Sequence, residues 1–319
     1  MEMTFAFYNV ENLFDTSDDP NKKDTAFTPN GELKWDERKY HRKIESIATV
    51  IEGMSHGGVL PAFIGFCEVE NQKVLEELVK HPKLNREGYE IIHVESRDVR
   101  GIDVALAFSP SVFEVKSYKM HNFEERTGTV FFARDIMQVT GTIPNGETLH
   151  VFINHWSSRR AGPKETEYKR VAAARTLREQ IDEIRDMDPE AKILIIGDFN
   201  DGPNNKSLKT VLNAGRVDQN SDLVNLSWPL FKKGYGTCKH EHKWYFFDQI
   251  IVSKTLLQPH GVNVRKDKMY IYQEGEVLFK HKGGKSTTPN RTFVGGEYKG
   301  GVSDHLPVYV RLKLSDLKE

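Results

Sequence analysis

The chain has 319 residues, 38% of them hydrophobic and 29% charged, enough to bury a large core. Its formal net charge is -1 and its pI is near 6.9, which excludes a global positive field that draws in nucleic acid; a phosphate-bearing partner has to be held by a local site. Two cysteines far apart, Cys67 and Cys238, exclude a disulfide framework and a cysteine-rich zinc set, and no apolar run is long enough to span a bilayer.

In chain order, residues 4–10 (TFAFYNV) are aromatic and β-branched and read as a strand. Its tip carries Asn9 and Glu11, two polar groups two residues apart. No signal peptide is expected ahead of a patterned strand this early. The expected location is cytoplasmic if the chain is complete, and secreted or periplasmic if a leader has been removed. Residues 15–31 are rich in turn formers. Their cluster of Asp15, Asp18, Asp19 and Asp24 lacks the EF-hand order of ligands and glycine, so a solvated loop is expected. From about Asp36 to Met54 the apolar positions Tyr40, Ile44, Ile47, Ala48 and Ile51 mark one face of a helix.

Residues 62–67 (AFIGFC) read as a buried strand ending on Glu68, which either does chemistry or caps the short helix expected over residues 72–80. Strands follow over residues 89–94, 103–108, 112–120, 136–143 and 149–153, with turn signals between them; this pattern predicts an antiparallel meander. The last of them delivers Asn154 and His155. After the loop SSRRAGPKE, a helix over residues 165–186 presents Tyr168, Val171, Ala174, Leu177, Ile181 and Ile184 on one face.

Residues 192–200 (KILIIGDFN) organise the chain. A short β-branched strand stops on Gly197 and carries Asp198 and Asn200 at its tip, pointing the same way if the backbone stays extended. Turn chemistry alone accounts for this stretch equally well, because the residues that follow also favour turns. Residues 246–252 form another strand, interrupted by Asp248 and Gln249. Residues 254–302 mix strands with glycine-rich turns, and Ser303, Asp304 and His305 precede a last strand over residues 306–314. No repeat or linker divides the chain, so one domain over residues 1–319 is expected, with a monomer as the simplest assembly.

Several strands thus end on polar groups: Asn9 and Glu11, Glu68, Asn154 and His155, Asp198 and Asn200, Asp304 and His305; Asp248 lies inside a further strand. Each has an ordinary structural explanation. Their coincidence at strand tips points to one site on one sheet edge. The residue types fit phosphate ester cleavage, which needs a positioned water and strong stabilisation of phosphoryl charge. A carboxylate such as Glu68 suits a hard divalent cation, Asp198 suits orientation or deprotonation of water, and His305 held by Asp248 suits contact with a phosphoryl oxygen.

The ordered set YNVEN, GFCEVEN, INHW, GDFND, FFDQIIVS and SDHLPV resembles the endonuclease/exonuclease/phosphatase (DNase I-like) superfamily over residues 4 to about 314. The resemblance implies an α/β fold, a four-layered sandwich of two facing mixed sheets flanked by helices. It implies Mg2+ as cofactor, with Mn2+ or Ca2+ as substitutes. Glu68, Asn9, Asp304 and Glu11 take the metal-network positions, and His155, Asp198, Asn200, Asp248 and His305 the catalytic ones. Asn154, Arg159 and Arg160 are the candidates for holding substrate, with Lys164, Arg134 and Arg291 as further loop cations. Asp103 is read either as the orienter of His155 or as a buried turn residue. His155 leads away from abasic-site repair enzymes, which lack it. CKHEH, with Cys238, His240 and His242, reads as a polar loop in preference to a metal clip.

These motifs point to a metal-dependent phosphodiesterase of the nuclease type, with DNA or RNA as candidate substrates. The alternative is an enzyme acting on lipid or small-molecule phosphates, which the near-neutral charge favours mildly. A third reading, a degenerate copy kept as a binding protein, expects a missing catalytic residue, and none is missing.

Overall fold

A computed structural model describes residues 1–123, 135–281, 283 and 287–315; Arg134 lies outside the described residues. Two large mixed sheets face each other. One has six strands in the order Val262–Ile271, Val308–Leu314, Glu2–Leu13, Phe63–Val69, Asp103–Phe108 and Glu90–His93. The other has seven, in the order Glu114–His121, Ile136–Thr142, Thr148–His155, Lys192–Asp198, Asp248–Ser253, Leu223–Asn225 and Ala214–Gly215. Helices Glu37–Gly53 and Gln72–Val79 cover the outer face of the first, and helix Glu167–Met187 the outer face of the second. These are the four layers expected.

The layers follow from the period-2 alternation of strand side chains. In the first strand Phe5 and Phe7 point between the sheets, while Ala6 and Tyr8 point to the outer helices. In the organising strand Leu194 and Ile196 face inward and Ile193 and Ile195 outward. The strand runs one residue past Gly197, to Asp198, and that position is glycine because a Cβ there would lie 2.5 Å from the backbone oxygen of Asn154. Phe5 stacks on Phe63 at 5.0 Å, and Phe113 packs edge-on against both rings. Each such buried side chain is worth about 2 kcal/mol of transfer free energy.

Most expected elements form within a residue or two of their predicted bounds. Three expectations are corrected. The predicted meander is two pieces: Glu90–His93 and Asp103–Phe108 pair in the six-stranded sheet, whereas Glu114–His121, Ile136–Thr142 and Thr148–His155 pair in the other. The chain crosses over at residues 109–113, a tight turn whose Phe113 drops into the core. Tyr168 is 44% exposed, and the helix instead buries Arg170. The loop after the first strand is not simply solvated: Asp15 and Asp24 are buried and accept backbone N–H groups of the same loop. Among the described residues no helix is long and apolar enough to cross a membrane.

Candidate active site

Strand register builds the floor of the site. His155 pairs with Asp198 across one parallel ladder, and Asp198 pairs with Asp248 across the adjoining antiparallel one, so three functional groups stand in a row over three neighbouring strands. The opposite sheet contributes Asn9 and Glu68. Simple alternation would turn Glu68 towards the outer helices. A bulge with Glu68 at φ +62 shifts the register after Cys67 and re-aims the carboxylate into the cavity. There its Oε2 accepts the Asn12 N–H at 3.0 Å. The following helix is capped by Asn71, not Glu68.

The centre of the arrangement is one oxygen. Asp198 Oδ2 receives the Asn9 amide at 3.1 Å and faces His155 Nε2 at 3.7 Å and His305 Nε2 at 3.9 Å. His305 Nδ1 is 2.7 Å from Asp248 Oδ2, which fixes the ring and leaves Nε2 directed at the cavity. The backbone N–H of His305 donates to Ser303 Oγ, and that hydroxyl donates to the Asn9 carbonyl, so the His305 loop is tied to the first strand.

Electrostatics separate the two histidines. Burial lowers the pKa of His155 well below the usual histidine value, helped by Arg100 and His305. Burial also works against charge on His305, but Asp248, Cys238, Asp198 and Asp304 carry its pKa well above that value. His155 is therefore neutral and His305 cationic. Burial raises the carboxyl of Asp198 to about 7 against the pull of His305. Burial and Asp304 raise that of Glu68. Asp304 stands near enough to raise the Glu68 carboxyl, and two neighbouring carboxylates lining one cavity suit a hard divalent cation, so Glu68 and Asp304 fit a magnesium-type site.

Above this floor lies a cavity of about 540 Å³, lined by Glu68, His155, Asp198, Asn200, Asp304 and His305 together with a wall of other side chains. Asn200 is not extended from Asp198. At φ +50 it folds back, its N–H on Asp198 Oδ1 and its side-chain amide on the Trp156 carbonyl. Asn9 offers its NH₂ to Asp198 and lies 3.5 Å from Glu68, while its oxygen accepts the Glu11 N–H. It holds the two acids and presents no oxygen to a cation. Glu11 is also displaced from the expected metal set. Its carboxylate accepts the Thr292 N–H behind the cavity, where burial and Asp304 raise its pKa to about 7. Buried Lys43 donates to the Glu11 carbonyl, Thr292 Oγ1 and the Val302 carbonyl.

Asn154 does not reach substrate space: it is fully buried, with its amide on the Ile196 carbonyl and its oxygen accepting the Trp156 indole. Asp103 accepts the Ser96 N–H and faces His93 at 3.3 Å. Arg159 and Arg160 both line the cavity, and Arg160 is exposed. The Arg159 guanidinium is partly committed: it donates to the Asn200 carbonyl at 2.7 Å and to Asp201, and lies 5.1 Å over the Phe247 ring. Asp201 also forms an ion pair with fully buried Arg170, whose Nε lies 2.8 Å away, and receives the Ser207 hydroxyl. Arg291 lines the cavity 3.7 Å from Asp304.

CKHEH forms a hairpin of Cys238–His240 with Lys243–Tyr245, turning on Glu241 and His242 at positive φ. Cys238 and His240 face the cavity and His242 sits in the turn, so the three do not converge on a metal. Sequence reasoning missed Arg100, Tyr245 and Phe247, which also line the cavity. Arg100 had one local signal, its place three residues before Asp103.

A model described as "Endonuclease/Exonuclease/phosphatase family" matches residues 4–314. No curated protein matches. Among solved structures, TDP2 of D. rerio complexed with single strand DNA product aligns at TM-score 0.60 and 15% identity, covering 98% of this chain and 99% of that one. The human Nocturnin catalytic domain with bound sulfate anion aligns at TM-score 0.59 and 17% identity, over 98% and 95%. A mannosyl-6-phosphatase of Bacteroides thetaiotaomicron aligns at TM-score 0.56 and 18% identity, over 98% and 100%. At such identities these likenesses speak for the fold.

Proposed function

Because this chain belongs to the endonuclease/exonuclease/phosphatase family, whose members are hydrolases of phosphate esters, we propose that it is a divalent-metal-dependent phosphodiesterase of the nuclease type, acting as one domain over residues 1–319. The observation that carries this reading is the single oxygen of Asp198 with Asn9, His155 and His305 gathered around it. Asp198 orients the attacking water and accepts its proton, and Asn9 holds that carboxylate in place. Cationic His305, fixed by Asp248, donates from Nε2 to a phosphoryl oxygen as negative charge builds there. Neutral His155 offers a second polar contact to the same group. Bound at Glu68 and Asp304, Mg2+, with Mn2+ or Ca2+ as substitutes, supplies charge neutralisation on the phosphate. Arg100, Arg160 and Arg291 give the walls a positive lining for the rest of the substrate, with Tyr245 and Phe247 as an aromatic surface.

A second reading, a phosphatase or phosphodiesterase for small-molecule phosphates, is favoured by the net charge of -1, since these cations line one cavity in a chain with no net positive charge. A substrate panel with Mg2+ or Mn2+ separates the two. It would contain plasmid DNA, RNA, bis-p-nitrophenyl phosphate, an inositol polyphosphate and a sugar phosphate, with EDTA and Asp198→Ala as controls. EDTA-sensitive cleavage of nucleic acid, lost in the variant, supports the nuclease reading. Turnover confined to the small phosphates replaces it with the second.

A further inference from the structure

Outside the cavity, the ends of the segment joining two strands of the six-stranded sheet come together around a second set of ligand atoms. His93 ends one strand, Asp103 begins the next, and Glu95 lies between. The imidazole, the carboxylate of Asp103 and that of Glu95 offer atoms all within 4.8 Å of one another. The His93 and Asp103 side chains are only 4% and 1% exposed. Among the described residues, neither His93 Nε2 nor Asp103 Oδ2 has a hydrogen-bond partner.

Buried polar atoms without partners are rare and call for an explanation. The two atoms are 3.3 Å apart. A charge-assisted N–H···O bond would be about 2.7–2.9 Å. Two ligands each about 2.0–2.2 Å from a tetrahedral ion are roughly 3.4 Å apart, close to the separation seen. We propose that His93, Asp103 and Glu95 form a second divalent-metal site, of the zinc type, with water completing the coordination. One imidazole with two carboxylates favours zinc over magnesium. Asp103 Oδ1 meanwhile accepts the Ser96 N–H at 3.0 Å, which orients the carboxylate from the loop side.

Lys22 is the competitor. Its ammonium lies 2.9 Å from Glu95 Oε2, and both residues line a small cavity of about 130 Å³ on the Glu95 side of the site. The metal shares or displaces that contact. Its consequence is a clamp: it ties together the two ends of the loop that delivers Arg100 to the catalytic cavity. Zinc occupancy therefore fixes the Arg100 side of the wall without touching the proposed catalytic groups.

The test uses full-length protein carrying Glu68→Gln and Asp304→Asn, so that the catalytic cavity has lost both carboxylates assigned to its metal. Calorimetric titration with Zn2+ is expected to show one remaining site. Adding His93→Gln should weaken it at least ~10-fold, as expected when a ligand is lost. Adding Lys22→Met should tighten it, because the competing ammonium is gone, and this variant keeps the proposal testable should His93→Gln fold poorly. Hydrogen exchange gives the second readout: Zn2+ should slow the amides of residues 95–101, and His93→Gln should abolish the slowing. Zinc affinity unchanged by His93→Gln, affinity not raised by Lys22→Met, or slowing that survives His93→Gln overturns the proposal.

Discussion

The floor and the walls of the catalytic cavity are made in different ways. On the floor, His155, Asp198 and Asp248 belong to paired strands, and their spacing is that of the ladder itself. On the walls, Arg100, Arg159, Arg160, Arg291 and the Cys238–Tyr245 hairpin come from loops whose conformation depends on local contacts. The floor groups are buried and hold one another, whereas the walls are partly open to solvent. Under the proposed function, reaction chemistry falls to rigid elements, and choice of substrate to elements that can differ without disturbing the sheets.

This contrast can be broken at the floor first. Asp198→Ala and His305→Ala are each expected to lower kcat at least ~10³-fold, about 4 kcal/mol of transition-state stabilisation, with unchanged circular dichroism. Rates near wild type in purified variants would remove the floor from the chemistry. Next comes the joint between floor and wall. Asp201→Ala leaves the buried Arg170 cation without its counter-charge and removes one of the Arg159 contacts, so urea unfolding should show a loss of about 3–5 kcal/mol. A smaller loss would show that Arg170 finds water or another partner.

The wall itself should respond mildly. Arg160→Ala is expected to raise KM a few-fold and leave kcat in place, since it removes binding felt equally by substrate and transition state. A matching fall in kcat would promote Arg160 to the chemistry. The smallest effect is expected far from the cavity, at the other end of the strand that carries His155. Burial lowers the pKa of His150 below its usual 6.5, with Asp188 opposing. The unfolded chain therefore binds this proton more readily. The stability His150 contributes is present above pH 6.5 and is lost as pH falls through its lower folded value. His150→Asn should flatten that acid-side decline in the urea midpoint without changing kcat at neutral pH.

The strand-borne half of this molecule was legible because its signals are local runs of residue type. Aromatic and β-branched runs marked residues 4–10 and 192–197 as strands, and a polar group ending or breaking such a run marked Asp198 and Asp248. Legibility failed where the backbone leaves its regular path. Glu11, Glu68 and Asn200 all have positive φ, and nothing in the identity of a glutamate announces such a turn. Extended geometry misdirected the expectation for Asn200, and Glu11 ended up behind the cavity. Asn154 was read as a strand-tip group facing substrate, but the indole of Trp156 claims it. The pairing of Arg170 with Asp201 joins residues far apart in sequence, a contact that helical periodicity cannot reveal.

The row of His155, Asp198 and Asp248 has a consequence for how the protein matures. Side chains along a strand alternate between faces, so a one-residue slip of Lys192–Asp198 against either neighbour would turn Asp198 away from both partners while keeping most backbone hydrogen bonds. Such a molecule would be compact, hydrogen-bonded and inert. Turnover would therefore serve as a proofreader of refolding: specific activity counts the molecules whose sheet zipped in the correct frame, a population that spectroscopic measures of secondary structure would overestimate.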